Sequence, residues 1–454
     1  MNNFKSHLLL SLMAILLLSS ASCSRSGSPD TGDGGTVTYP KEEITLEYYR
    51  LWDDDTALDE IIKEYTREHK NVHISVHNIA MPEGKTIYDY QRDIIKQIAD
   101  GEGPDMFMIH NDWLPYQINQ ISPLPSSIMT LDSYKQKYPE VVVDDFVANS
   151  KIYAVPYYID NLMLFYNTDL FSDARVPREK TPPKTWSDLV DIVPALTKYD
   201  ANHNIVQSAI TLGTDDQWIP RFAEILATLI MQYGGTMTTT DHTKATFDLP
   251  VNAATPYYPG ENALKFYTDF ANPSSPLYTY SDATDPSGKA KFPGDIQAFM
   301  EGKSAMLIGY SYQVNNIKKY SGGAVHFATA KLPQWRPEEP VVVANYWGET
   351  VSKNCKYPNV AWDFINYVSL KSNVRSYLNN TGHVPATKEL TETYLNKSYL
   401  APIASQIKFS KSWYRSNTAE VEKIFANMVN NVLHQGIPAK TAIDVAVQEI
   451  NALI

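Results

Sequence analysis

A chain of 454 residues that is 43% apolar and 20% charged has the composition of a globular protein able to bury large cores. That length allows roughly two to four domains, or one large two-lobed unit. A formal net charge of −12 argues against a nucleic-acid surface, which needs a basic patch.

The N-terminus carries its own signal. Lys5 precedes Leu8–Leu18, a run that is apolar apart from Ser11. It is shorter than the ~20 apolar residues that span a bilayer. It fits the hydrophobic region of a bacterial secretory signal. Ser20, Ala21 and Ser22 then lead to Cys23, so residues 1–22 resemble a lipoprotein signal peptide whose cleavage leaves an acylated Cys23 as a membrane anchor. With Cys23 acylated only Cys355 remains, and no intramolecular disulfide can form. Residues 23–43 are rich in Ser, Gly, Asp and Pro and read as a flexible tether.

Ile44–Trp52 alternates with strand periodicity, and Ala57–Tyr65 has helical spacing, capped by one of Asp53–Asp55. Val72–Val76 is a second strand, Ile87–Ile98 a second helix, and Asp105–His110 a third strand. This βαβαβ order predicts a parallel sheet flanked by helices. Ligands in such sheets lie beyond the carboxyl ends of strands. Here those ends are Trp52-Asp53 and Asp112-Trp113. An indole offers a flat apolar face and a carboxylate accepts hydroxyl hydrogen bonds, a pairing that suits a sugar. A core tryptophan beside a capping aspartate explains either pair equally well alone.

Lys151–Asn167 joins the two halves of the chain. Pro156 breaks it, and Tyr157, Tyr158, Asp160 and Asn161 bring aromatic and polar groups together before the apolar run Leu162–Tyr166. Such a crossing is a natural ligand seat. Further on, Thr185 caps a helix that Pro194 should interrupt, and Trp218–Tyr233 reads as an apolar helix stopped by Gly234-Gly235. Asp200, Asn202 and Asn204 hint at a calcium loop, but Ile205 and Thr211 stand where its Gly and Glu are needed. Ala271–Pro293 is a long loop. Ser304–Ile308 and Val341–Tyr346 are strands delivering Tyr310 and Tyr312, and Trp347 and Glu349, at their carboxyl ends. The rest is mostly helical, with a break near Gly436.

Several motifs, in order, resemble family 1 extracellular solute-binding proteins of bacterial ABC transporters, the sugar-binding lipoproteins similar to maltose-binding protein. They are Gly103–Phe107; Tyr153–Pro156 with Asp160-Asn161 and Tyr166-Asn167; Pro183–Trp186; Phe299–Met306; Trp347-Gly348 before Val351–Lys353; Ala361–Ile365; and Gly382–Ala386. Pro194 and the Ala271–Pro293 loop depart from the pattern.

The resemblance implies an α/β, two-lobed, type II periplasmic-binding-protein-like fold, each lobe a mixed sheet flanked by helices, with hinged crossovers. Lobe 1 is expected at 44–151 and 304–345, lobe 2 at 157–300 and 350–454. The implied function is capture of a mono- or oligosaccharide between the lobes and delivery to permease subunits by hinge closure. The protein would be an exported monomer, held on the outer face of the cytoplasmic membrane through Cys23, with no cofactor, no metal and no nucleic-acid partner. Candidate ligand contacts are Trp52, Asp53, Asp112, Trp113, Tyr157, Asp160, Asn161, Trp218, Tyr310, Tyr312, Trp347 and Glu349. Trp335, Trp413 and Arg415 are weaker candidates, and Trp362 reads as core. The competing functions are a secreted carbohydrate-active enzyme and a carrier of a non-sugar solute. No Gly-x-Ser-x-Gly, His-Glu-x-x-His or P-loop pattern is present. A metal site at His73 and His77 fails on geometry, since four residues along a strand separate them by ~13 Å.

Overall fold

The computed structural model describes residues 37–454 apart from 53–55, 82–84, 253 and 255. The signal peptide, Cys23, the tether up to residue 36, and Asp53 lie outside the described residues. The alternation read from the sequence builds β1 (Ile44–Leu51), α1 (Asp59–Glu68), β2 (Val72–Ile79), α2 (Ile87–Ala99) and β3 (Met106–His110). Helix α2 starts with a capping box in which Thr86 and Asp89 each satisfy the other's backbone N–H. The N-cap position of α1 is Leu58, which makes no side-chain cap bond; the aspartates expected to cap this helix, at 53–55, lie outside the described residues.

Then come β4 (Ile121–Ser122), α3 (Glu140–Phe146), β5 (Tyr158–Asn161), β6 (Met163–Asn167), α4 (Trp186–Leu196) and α5 (Phe222–Gln232). They are followed by β7 (Met306–Gly309), α6 (Tyr312–Tyr320), β8 (Phe327–Lys331), β9 (Val342–Asn345), β10 (Trp347–Ser352) and α7 (Pro358–Val368). The chain closes with β11 (Val384–Pro385), β12 (Ser410–Lys411), α8 (Thr418–Gln435) and α9 (Ala439–Asn451). Pro194 lies inside α4 rather than interrupting it. It falls in the last turn, two residues before the helix ends at Leu196, so few residues follow that a kink could disturb.

The first sheet has the order β2-β1-β3-β10-β4. β1 pairs in parallel with β2 and β3, as predicted, while β10 runs antiparallel to β3 and makes the sheet mixed. Around it lies one hydrophobic core, holding Leu46, Tyr48, Ile109, Val351, Trp362 and Ile365. A second core gathers Trp186, Leu226, Ile230, Tyr267, Phe425 and Ile443. Each fully buried aliphatic or aromatic side chain contributes about 1.5–3 kcal/mol, so each core is a substantial folding unit.

The cores divide the chain differently from the expected boundaries. Residues 360–407 supply many side chains to the first core, and 304–345 is shared, with Leu307, Val314, Ile317 and Val325 in the first core and Ala305, Met306, Ile308, Tyr310, Ala330 and Leu332 in the second. The cause is strand pairing. β10 joins β3, and α7 packs on β10, so the chain stays with the first core well past residue 350.

Passage between the cores is concentrated in a four-stranded sheet of order β11-β5-β9-β12. β5 meets β9 through Asn161↔Ala344 and Asp160↔Asn345, and β9 meets β12 through Val342↔Ser410 and Val343↔Lys411. From Leu162 into β6 the side chains turn alternately, with Met163 and Phe165 in the first core and Leu162 and Leu164 in the second.

Gly348 shows how tightly β10 is seated. A Cβ there would lie 2.7 Å from two ring carbons of Phe146 and 2.8 Å from the Ala154 Cβ. Gly348→Ala is expected to lower stability by about 1–3 kcal/mol in urea unfolding. Adding Phe146→Leu should recover part of that loss. A Gly348→Ala variant as stable as the parent would contradict this packing.

Candidate functional site

The carboxyl ends of β1 and β3 meet the amino end of β10, because β10 is antiparallel and Trp347 pairs with His110. Four rings surround Trp347 edge-on or nearly so: Trp113 at 4.9 Å, Trp52 at 5.1 Å, His110 at 5.2 Å and Tyr90 at 6.4 Å between centroids. Three candidate tryptophans from distant stretches therefore form one cluster. Their exposure differs sharply. Trp113 and Trp347 are 1% and 4% exposed, whereas Trp52 is 57% exposed. Trp52 also has a φ of 57°, a left-handed conformation that bulky residues avoid. An exposed indole in a strained backbone at a sheet's ligand edge is a feature associated with binding sites.

Asp112 follows β3 and is buried with both oxygens engaged. Its Oδ1 bonds His110 Nδ1, and its Oδ2 accepts from Arg415 Nη2 at 2.6 Å and Thr418 Oγ1 at 2.7 Å. Burial would raise its pKa, but Arg415 and His110 hold the carboxyl well below the usual carboxylate range. Arg415 also reaches Glu422 at 3.5 Å on α8. The Glu422 carboxyl is raised, first by burial and then by Glu224. Glu224, buried in α5, pairs with Arg221 at 3.0 Å. A chain of charges thus runs from the first core's sheet edge to two helices of the second.

Tyr88, Arg221, Glu224 and Glu422 escape a reading by strand ends. A signal for the acids does exist, since Glu224 interrupts an otherwise apolar helix, FAEILATLIMQ. Beside these charges Tyr310 is 2% exposed, its hydroxyl without a partner among the described residues, and Tyr312, 42% exposed, lies 6.5 Å from it ring to ring. Trp218 is half-buried on the flank of the second core.

Other candidates are committed elsewhere. Glu349 is not at a strand's carboxyl end but inside β10. It is 1% exposed, pairs with Arg50 at 2.8 Å, and accepts from the Tyr48 hydroxyl at 2.6 Å. Tyr157 is buried near Tyr377, with its ring 5.8 Å from the Arg50 guanidinium. Asn161 binds Ile403 O, Ser410 Oγ and Gln406 within the crossing sheet. Asp160 accepts from the Ser311 N–H at 2.8 Å, the Ser311 hydroxyl at 2.6 Å and the Asn161 N–H at 2.9 Å. Asp145 of α3 is bonded by Tyr346, Ser412 and Asn111 and so ties the sheet edge to the crossings. Burial pushes Asp145 and Asp160 each up to about 7. His73 and His77 bond Glu43 and Glu47 rather than a common point.

A model of the bacterial extracellular solute-binding protein family matches residues 60–401. Maltodextrin-binding protein MdxE of Bacillus subtilis strain 168 is 24% identical over 82% of this chain and 78% of its own. The galactooligosaccharide-binding protein of the same strain is 21% identical over 80% of this chain and 78% of its own. Among solved structures, the cyclic alpha-maltosyl-1,6-maltose binding protein from Arthrobacter globiformis superimposes with a TM-score of 0.73 at 19% identity, covering 90% of this chain and 99% of that one.

The buried carboxyl of Asp160 predicts a pH effect. Its native pKa of about 7 exceeds the ~3.9 of an unfolded aspartate. Between those values the native state binds the extra proton. Its contribution therefore falls as pH rises through this window and levels off above about 7. Asp160→Asn removes that slope. From pH 5 to pH 8 the wild type should lose on the order of 2–4 kcal/mol relative to Asp160→Asn in urea unfolding. A difference that does not change with pH would refute the assignment.

Proposed function

We propose that this chain, which belongs to the bacterial extracellular solute-binding proteins, captures a mono- or oligosaccharide between its two cores and delivers it to the permease subunits of an ABC importer. The fold is α/β and of the type II periplasmic-binding-protein-like kind, as the Arthrobacter globiformis structure is. The observation that carries the carbohydrate reading is Trp52. An exposed aromatic face stands at the sheet's ligand edge, supported from beneath by Trp347 and bordered by a polar cluster around Asp112. Sugars present apolar C–H faces and a rim of hydroxyls, which stacking and carboxylate acceptance match. The sugar-binding names of the relatives support the same reading.

The crossing sheet is the proposed hinge, with one lobe around each core. A ligand that touches both cores favours their approach, and the permease reads the closed form. Residues 1–22 serve as a lipoprotein signal peptide, Cys23 carries the lipid, and the protein works as a monomer on the outer face of the membrane. Turnover is not part of the proposal. Ser311 lies between Asp160 and His383, whereas a nucleophilic serine needs the histidine between itself and the acid.

Calorimetric titration of residues 24–454 with glucose, galactose, mannobiose, maltotetraose and galactooligosaccharides tests the reading. One-to-one binding without hydrolysis is expected for at least one of them. Trp52→Ala should weaken that binding by about 1–3 kcal/mol, the cost of losing one stacked ring, with an unchanged unfolding midpoint because the side chain is exposed. No heat with any of the panel, or release of shorter sugars, would sink it.

A further inference from the structure

β8 stands at the edge of the sheet β7-β6-β8. It runs antiparallel to β6, from Phe327↔Asn167 to Lys331↔Met163. Just before the strand, the Thr168 N–H donates to His326 O at 2.9 Å. Just after it, the Gln406 carboxamide continues the ladder, accepting from the Leu332 N–H at 2.8 Å and donating to Leu162 O at 3.0 Å. Bonded and non-bonded pairs alternate along an antiparallel ladder. Ala328 and Ala330 are therefore the residues bonded to β6, and Phe327, Thr329 and Lys331 turn their N–H and C=O groups away from it. Those outward groups meet no hydrogen-bond partner among the described residues.

A groove of about 570 Å³ runs beside this strand. Phe327, Ala328, Thr329 and Lys331 line one side, and Lys397 and Tyr399 contribute to the other. Successive strand residues point to opposite faces, so a space that Ala328 shares with Phe327 and Thr329 lies along the edge rather than over one face. Tyr399 fixes the far wall. Its carbonyl accepts from Thr329 Oγ1 at 2.9 Å, its ring lies 5.1 Å from that of Phe327, and its φ is 66°. The Lys318 ammonium stands 3.9 Å from the centre of the same ring. Lys331 and Lys397 are exposed, and no carboxylate is among the described residues that line the groove. A locally basic channel thus lies on a chain of net charge −12.

We propose that this groove docks an acidic, extended segment of a partner protein, which adds to β8 as a further strand. The edge offers donors and acceptors in alternation. An extended peptide backbone matches that pattern, whereas an anionic lipid headgroup brings acceptors alone. At ~3.3 Å per residue, Phe327 and Lys331 lie ~13 Å apart, so the added strand is short, about five residues. Lysines on an edge strand deter basic or neutral neighbours. Carboxylates on the incoming strand supply the counter-charge for Lys331 and Lys397. Trp52 and Trp347 do not line the groove, so docking is separate from sugar capture and does not rest on that reading.

Fluorescence anisotropy of residues 24–454 with the labelled peptide Glu-Val-Thr-Val-Glu-Val-Glu tests it. Saturable one-to-one binding is expected, at least tenfold tighter than for the same peptide with Lys in place of Glu. Lys331→Glu with Lys397→Glu, both exposed, should weaken it at least tenfold while leaving the unfolding midpoint and any saccharide titration unchanged. Two further peptides carry N-methyl groups on alternate amides, one on the valines and one on the other residues. Strand addition uses only one of these sets, so one peptide should lose binding at least tenfold and the other should keep it. Equal behaviour of the two overturns strand addition, because attraction between charges alone is blind to that alternation. No saturable binding up to about 1 mM, or binding unmoved by the lysine exchange, overturns the docking site. Tighter binding to phosphatidylglycerol vesicles, lost with the same exchange, would make the lysines a lipid contact and overturn it as well.

Discussion

A chain that passes repeatedly between two hydrophobic cores must satisfy its backbone N–H and C=O groups on the way, because burying them unpaired costs more than a hydrogen bond yields. This protein meets that constraint by pairing passages with one another. β5, β9 and β12 come from stretches of the chain far apart in sequence, and they lie side by side in one small sheet. Residues 158–161, 342–345 and 410–411 are thereby held at one place. The site depends on that placement, since Trp347 lies two residues beyond β9 and Arg415 four beyond β12.

The charges near this junction are of two kinds. Arg50 and Glu349 are 0% and 1% exposed and lie inside the first core, where Tyr48 and Tyr377 complete their bonding. Such an interior pair is demanding to build and serves the fold. Asp112, Arg415, Glu422, Glu224 and Arg221 form the other kind. They bridge elements of the two cores, and several of their polar neighbours lack partners among the described residues. A polar network fully satisfied inside one core holds that core rigid. A network stretched across two bodies with groups left over is costly to keep buried, because an unpaired polar group in a low dielectric loses its hydration without return.

Much of the fold was legible in the residues. The alternation of Ile44–Leu51, the Thr185 cap, and the Gly436 stop at a φ of 65° are local signals with local causes. The convergence of Trp52, Asp112 and Trp113 followed from the rule that parallel strands bring their carboxyl ends to one edge. Trp347 was chosen for a different reason, as the residue after a strand. It reached the same edge because it begins an antiparallel strand. Glu349 failed for that very cause: two residues further along β10 it lies deeper in the sheet, opposite Met108.

The sequence by itself determined the α/β class, most of the helix and strand order, and that Trp52, Asp112 and Trp113 share one sheet edge. These depend on periodicity and capping, which act over a few neighbouring residues. Tertiary structure alone decided which core each later segment joins, that Asp112 is held by Arg415 and Thr418, and that Trp52 presents an open face while Trp113 and Trp347 are covered. These outcomes turn on contacts between residues hundreds of positions apart. A partner at that distance leaves no mark on the local pattern of either residue.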